Sequence, residues 1–199
     1  MRTLNALALG LGSRPVARVW PLVARGILIL GFANLTAVSA WIALYLPISP
    51  VPVTAQTLAV LLAGVCLGSR AGALAQVTYI CEGLLGLSVF AGGRAGFAVL
   101  LGPTGGYLVG FVAAAFVVGW LAERGWRSRT ALLPAALMLG TLAIYAFGAG
   151  WLAHLVPGGL AGAIAVGVLP FLPGDIVKVA LVAIVVPSSR RFLGQVLPW

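Results

Sequence analysis

Residues 104–121 read TGGYLVGFVAAAFVVGWL, and this stretch decides the fold. It carries no charge, and at a helical rise of about 1.5 Å per residue it is long enough to cross most of a hydrocarbon layer of roughly 30 Å. It ends on the basic cluster Arg124, Arg127 and Arg129, the flank that anchors a membrane span at the cytoplasmic face. The pattern repeats outward in both directions. Downstream, an apolar run occupies about Ala131–Ala153. Beyond Pro157 comes another, interrupted at Pro170, Pro173 and Gly174 before a last helix expected over Asp175–Val186. Upstream, the glycine-rich connector AGGRAGF separates the stretch from a run over about Ala71–Phe90. A break at Gly68, Ser69 and Arg70 precedes that run, and before the break lies a short one, about Ala55–Gly68. The first span is expected over about Gly26–Leu46, closed by Pro47, Pro50 and Pro52.

Composition agrees. Of 199 residues 62% are hydrophobic and 8% charged, with a mean hydropathy of +1.14, which excludes an ordinary soluble domain. About six spans use up this length and leave no room for a separate catalytic domain. The expected fold is an all-α integral membrane protein of six transmembrane helices, with both termini cytoplasmic. Residues 1–24 are set apart as a cytoplasmic amino-terminal segment, and residues 25–199 as one six-helix membrane domain that binds a substrate.

The formal net charge is +9, and all the cations but Lys178 are arginines. Most lie between apolar runs, as anchors facing anionic lipid, so a nucleic-acid partner is not expected. Ten of them, Arg2, Arg14, Arg18, Arg25, Arg70, Arg124, Arg127, Arg129, Arg190 and Arg191, fall on the cytoplasmic side of a six-span topology. Arg94 and Lys178 do not. These two exceptions mark the outer side as the place to look for chemistry.

Enzyme chemistry is not expected. There is no GxxxxGK[ST] loop, HExxH or GxSxG, and His154 has no acidic or cysteine neighbour in sequence, so it reads as a polar residue at the membrane interface. Cys66 and Cys81 sit in apolar segments and read as small hydrophobes, and no cofactor or metal is implied. Small-xxx-small spacings at Ala33 and Ala37, at Gly102, Gly106 and Gly110, and at Gly158 and Gly162 read first as close helix packing inside the chain.

The polar residues gathered on the outer half are Thr54, Gln56, Thr57, Glu82, Arg94, Asp175 and Lys178. An ionisable group inside a span costs roughly 2.5–3.5 kcal/mol, so such groups are paired or functional. Asp175 and Lys178 share a helix face and can neutralise each other. Asp175 also follows Pro173 and Gly174, so the bland alternative makes it a helix cap. Glu82 reads as a packed structural group. Arg94, among glycines, suits bidentate capture of a carboxylate, with a solvated loop residue as the alternative. In GPTGGY the early amides, uncovered by side chains at Gly105 and Gly106, either meet an anion or start a close-packed helix. Together these residues suggest a small anion carrying both N–H and C=O groups at its other end, such as an amide or ureido ring.

The strings PVPVTAQTL (Pro50–Leu58), GLSVFAGGRAGFAVLLGPTGGYLVGF (Gly86–Phe111) and PFLPGDIVK (Pro170–Lys178) resemble the biotin-specific substrate-binding subunits of energy-coupling-factor transporters, the BioY family. The resemblance spans most of the chain from the first span onward, and three motifs in the right order make it specific; the first 24 residues are read as outside it. It implies a six-helix subunit of the inner cell membrane that captures biotin at the outer face, the biotin being cargo and not cofactor. Arg94 is then the carboxylate partner and Asp175 and Lys178 the ureido-ring partners, with Gln56, Gly105 and Tyr107 as further substrate contacts. The implied partners are a transmembrane coupling subunit and cytoplasmic ATPases, with Ala33 and Ala37 as the docking face for the coupling subunit. A homo-oligomer without the ATPases is the variant some members suggest. Ser88 stands where the family usually has proline. The competing readings are a subunit for another small vitamin and a membrane scaffold that transports nothing.

Overall fold

The computed structural model describes residues 16–126, 129 and 131–188. Arg2, Arg14, Arg127, Arg190 and Arg191, and most of the expected amino-terminal segment, lie outside the described residues. The elements in chain order are α1 (Val16–Trp41), β1 (Ala43–Leu44), β2 (Val53–Thr54), α2 (Gln56–Leu84), α3 (Ala98–Leu101), α4 (Gly105–Glu123), α5 (Leu132–Leu152), α6 (Gly159–Gly167) and α7 (Leu172–Ser188). The all-α expectation holds but for one two-stranded ribbon. β1 and β2 pair antiparallel, Ala43 opposite Thr54 and Leu44 opposite Val53, and fold the proline-rich loop after α1 back on itself.

α2 is two helices. Gly68 interrupts it with φ 80° and ψ −178°, a left-handed φ that favours glycine. In a straight helix Gln56 and Tyr79 would stand about 34 Å apart. Instead their side chains are hydrogen bonded at 2.6 Å, and Gly72 lies so close to Gly64 that a Cβ on it would meet the Gly64 Cα at 3.0 Å. The chain therefore reverses at Gly68, where the sequence places its break between the second and third runs. The Glu123 carboxylate secures the turn, accepting bonds from the Ser69 amide at 2.7 Å and from the Ser69 hydroxyl at 3.0 Å.

The second arm ends at Leu84, short of the expected Phe90. Gly86, at φ 99°, stops it: the Leu87 amide bonds the Glu82 carbonyl and the Gly86 amide bonds that of Gly83, which together satisfy the last turn. The connector that follows is held by a bridge between Phe90 and Arg94.

Of the glycines expected to serve helix packing, Gly106 and Gly110 do so within the chain, while Gly102, Gly158 and Gly162 meet only their own local segment; Gly119 packs closely as well. On α4 the Gly106 Cα faces the Trp151 side chain and the Phe147 carbonyl, Gly110 faces the backbone of Ile144, and Gly119 faces Gly68 and Ser69. α4 is thereby sandwiched between the α2 hairpin and α5. α7 starts at Leu172, three residues before the expected start, and Val179, Val182 and Val186 pack with Leu61, Val118 and Leu137. It is bent from α6 by 57° at the Pro170 break.

Among the described residues four helices are long and apolar enough to cross a membrane, Leu22–Trp41, Gln56–Leu84, Gly105–Glu123 and Leu132–Leu152, or five if the bent α6–α7 pair is one span. Cations collect at one end of this bundle. Arg70 follows the Gly68 turn, Arg124 and Arg129 flank the α4–α5 loop, and Arg25 lies a turn before Leu28, which packs beside Leu67 and Ala71. The other end carries the ribbon, the connector and the α6–α7 bend.

Ala33 and Ala37 do not form an outward face. They are 0% and 6% exposed and pack with Val60 and Tyr79, so α1 spends its small residues on α2. A docking surface needs exposure, which these two buried alanines lack.

Candidate substrate-binding pocket

At the end away from Arg70, Arg124 and Arg129, α2, α4, α5, α7 and the ribbon line a narrow cavity of about 50 Å³. Apolar side chains form most of its wall, among them Val51, Phe90, Leu108, Phe111 and Phe171. Most of its polar groups sit along one chain of hydrogen bonds; the Tyr107 and Thr104 hydroxyls do not belong to it.

That chain is centred on Asp175, which is 5% exposed. Its Oδ1 accepts from Lys178 Nζ at 2.7 Å and from the Thr57 hydroxyl at 3.1 Å, and its Oδ2 accepts from the Tyr145 hydroxyl. Asp175 occupies the first turn of α7, not the position before it, and its carboxylate is spent on three other side chains, so it is not a cap. Lys178 gives its remaining protons to the Thr54 carbonyl at 2.7 Å and the Thr57 hydroxyl at 2.9 Å. One helical turn of α7 is thus tied to the ribbon, the first arm of α2, and α5.

The chain continues through the ribbon. The Thr54 hydroxyl donates to Gln56 Oε1 at 2.9 Å, Gln56 Nε2 donates to the Tyr79 hydroxyl, and that hydroxyl donates to the Val89 carbonyl at 3.2 Å. Tyr79 is fully buried, and Phe90 meets its ring edge-on at a centroid distance of 5.6 Å. Through Tyr79 both outer loops are fastened to the hairpin.

Of the residues singled out from sequence, Gln56, Tyr107, Asp175 and Lys178 line the pocket. Tyr107 offers it a ring, since its hydroxyl donates to the Gly167 carbonyl at 2.7 Å. Arg94 is exposed on the connector just beyond Phe90 and Ala91; its Nε donates to the Ala91 carbonyl at 2.9 Å, and the side chain does not line the void. Gly105 is buried against the Leu100 carbonyl and serves the close-packed start of α4. Glu82 and His154 also lie outside the lining.

Sequence reasoning passed over Tyr79 and Tyr145, and it noted Thr57 only as one of several polar residues. A signal was there: a tyrosine within an apolar span carries a hydroxyl that must find a partner. Which partner depends on how α2 and α5 dock on α7, and spacing does not carry that information. Ser88, the departure from the family pattern, contributes its carbonyl to the Trp41 indole N–H at 3.4 Å.

Comparison with known proteins places this geometry in a family. The model of the BioY family matches residues 13–195, which extends into the first 24 residues set apart above. The biotin transporter BioY of Thermotoga maritima is 40% identical over 160 residues, covering 80% of this chain and 92% of that protein. That of Rhizobium etli is 41% identical over 142 residues, covering 68% and 75%. The probable biotin transporter BioY of Pyrococcus horikoshii is 44% identical over 154 residues, covering 77% and 88%. In fold, the chain is similar to the crystal structure of the S-component for biotin from an ECF-type ABC transporter, with a TM-score of 0.76 at 24% identity over 86% of this chain and 93% of that one. With a match along nearly its whole length and close relatives that it largely covers, the chain belongs to the BioY family.

Proposed function

We propose that this chain is the substrate-capture subunit of a biotin importer, taking biotin into the pocket from the outer face of the cell membrane. The observation that carries the reading is the preassembled set of Asp175, Lys178, Thr57 and Tyr145 on one wall of a largely apolar void. A ureido ring presents two N–H donors and one carbonyl. Asp175 Oδ2 accepts only from Tyr145 and so has a lone pair to spare for a ligand N–H. All three Lys178 protons are taken, so a ligand carbonyl reaches this ammonium by replacing the Thr54 carbonyl. Binding and the position of the ribbon are then linked. The apolar wall suits the thiophane ring and the aliphatic tail. The tail's carboxylate is met by Arg94, whose Nη groups make no hydrogen bond to the protein among the described residues and stand on the connector beside the mouth.

The two arms of α2 count as two spans in this reading and α6–α7 as the sixth, which puts both termini and the Arg25, Arg70, Arg124 and Arg129 end in the cytoplasm of a multi-pass protein of the inner membrane. The sequence holds no nucleotide loop of its own, so active uptake calls for a coupling subunit and ATPases as partners. A subunit for another vitamin is the competing reading. Displacement of labelled biotin separates the two: desthiobiotin, which keeps the ureido ring, is expected to compete, and lipoate, which keeps a carboxylated tail without that ring, is not. Equal competition by both would reject the ureido assignment.

A further inference from the structure

Tyr145 stands between two voids. On one side is the pocket. On the other, between α5, α6 and α7, is an apolar cavity of about 550 Å³ lined by Met138, Leu142, Ile164, Leu172 and Ile176 among others. Leu142 and Ile176 are 57% and 60% exposed on the outside of the bundle, so this second cavity opens toward lipid. Tyr145 and Asp175 are the two residues that border both.

The partition is one side chain thick, and its chemistry is asymmetric in a useful way. The ring of a tyrosine is compatible with hydrocarbon, and its hydroxyl is not. Here the hydroxyl is given to Asp175 Oδ2, the carboxylate oxygen that Lys178 and Thr57 leave free. Asp175 itself borders the apolar cavity, and without that ring more of its carboxylate would face it, at a substantial desolvation cost.

We propose that Tyr145 sets the head-end limit of the ligand: its ring closes the pocket against the apolar cavity, and its hydroxyl holds Asp175 turned toward the bound molecule. This rests on the reading of Asp175 as partner of the ureido ring. Removing the ring joins the two voids and admits ligands that carry an apolar substituent on the group bonded to Asp175.

The test is competition against labelled biotin on the purified full-length chain in detergent. The probes are biotin, biotin benzylated at a ureido nitrogen, and a biotin amide extended at the carboxyl end. The wild-type chain is expected to bind biotin and reject the benzyl derivative. Tyr145→Phe keeps the partition and loses the hydroxyl, so biotin binds about 10-fold more weakly or worse with the discrimination against the benzyl derivative retained. Tyr145→Ala is expected to reduce that discrimination at least 10-fold. Adding Ile176→Trp, which refills the outer cavity, restores it; alone it leaves biotin affinity unchanged, since Ile176 does not border the pocket.

Undiminished discrimination in a monodisperse Tyr145→Ala chain that still binds biotin overturns the proposal, and so does unaltered biotin affinity in Tyr145→Phe, the variant that decides should Tyr145→Ala not fold. A gain by the carboxyl-extended probe instead would place the tail, not the ureido ring, against Tyr145 and likewise overturns the proposal. Failure of the wild-type chain to bind biotin overturns the underlying reading of the site, and is seen before any variant is made.

Discussion

Gln56 Nε2 donates to the hydroxyl of Tyr79 at 2.6 Å, from the first residue of one arm of a helical hairpin to the buried side of the other. The same hydroxyl reaches on to the Val89 carbonyl, so one fully buried atom joins the hairpin to both outer loops. Tyr79→Phe preserves the ring and its edge-on contact with Phe90 but leaves the Gln56 amide and the Val89 carbonyl unpaired. A loss of roughly 1–3 kcal/mol in stability is expected, read as a lower melting temperature in detergent. Amide exchange in residues 51–57 and 88–94 is expected to quicken more than in α4 or α5, which locates the effect in the loops.

Arg94 is assigned to the tail of the ligand. Arg94→Ala is expected to weaken biotin binding by about 2–5 kcal/mol, the range for stripping one partner from a hydrogen-bonded charge pair, and to weaken binding of biotin methyl ester much less. Calorimetry on both ligands reads the difference. Equal losses would mean that the variant has collapsed the connector rather than removed a charge partner.

The Asp175–Lys178 pair is buried, and the cost of breaking such a pair differs from the cost of deleting it. Asp175→Asn leaves Lys178 uncompensated and is expected to lower stability by roughly 3 kcal/mol or more. Asp175→Asn combined with Lys178→Met removes both charges and is expected to recover much of that stability, with biotin binding still lost. Melting temperature follows the first quantity and titration calorimetry the second. A double variant that regains binding along with stability would make the pair structural only.

Close packing in the hairpin gives a sharper contrast. A Cβ on Gly64 would lie 2.7 Å from the Ala115 carbonyl, whereas one on Gly31 has nothing within 4 Å. Gly64→Val is expected to cost at least about 1–3 kcal/mol from overpacking and to reduce the monodisperse fraction after solubilisation. Gly31→Ala is expected to be neutral or to gain up to about 1 kcal/mol from helix propensity.

Much of this architecture was legible in the sequence. Apolar runs bounded by arginines marked the long helices, and the Gly68–Arg70 break marked the reversal between the two arms of α2, because both rest on local rules. The end of that hairpin at Gly86 was missed by several residues: an apolar run continues to Phe90, and the left-handed glycine that halts the helix looks like any other in a chain with 27 of them. Ala33 and Ala37 show a different limit. Lipid and protein interior are equally apolar, so a small-residue stripe does not say which of the two it faces. In the pocket, the charged members stood out because charge in a span is rare and costly. The neutral members, Thr57, Tyr79 and Tyr145, became visible only when helices distant in sequence came together. Arg94 lies between these cases: its position by the pocket mouth follows from the connector, while its engagement waits on the ligand.

The most direct measurement is equilibrium binding of labelled biotin to the purified, detergent-solubilised chain without any partner, with excess unlabelled biotin as control. The account predicts saturable binding of one biotin per chain, abolished in the Asp175→Asn, Lys178→Met double variant. A well-folded chain with no saturable binding, or a double variant that binds as the wild type does, would contradict it.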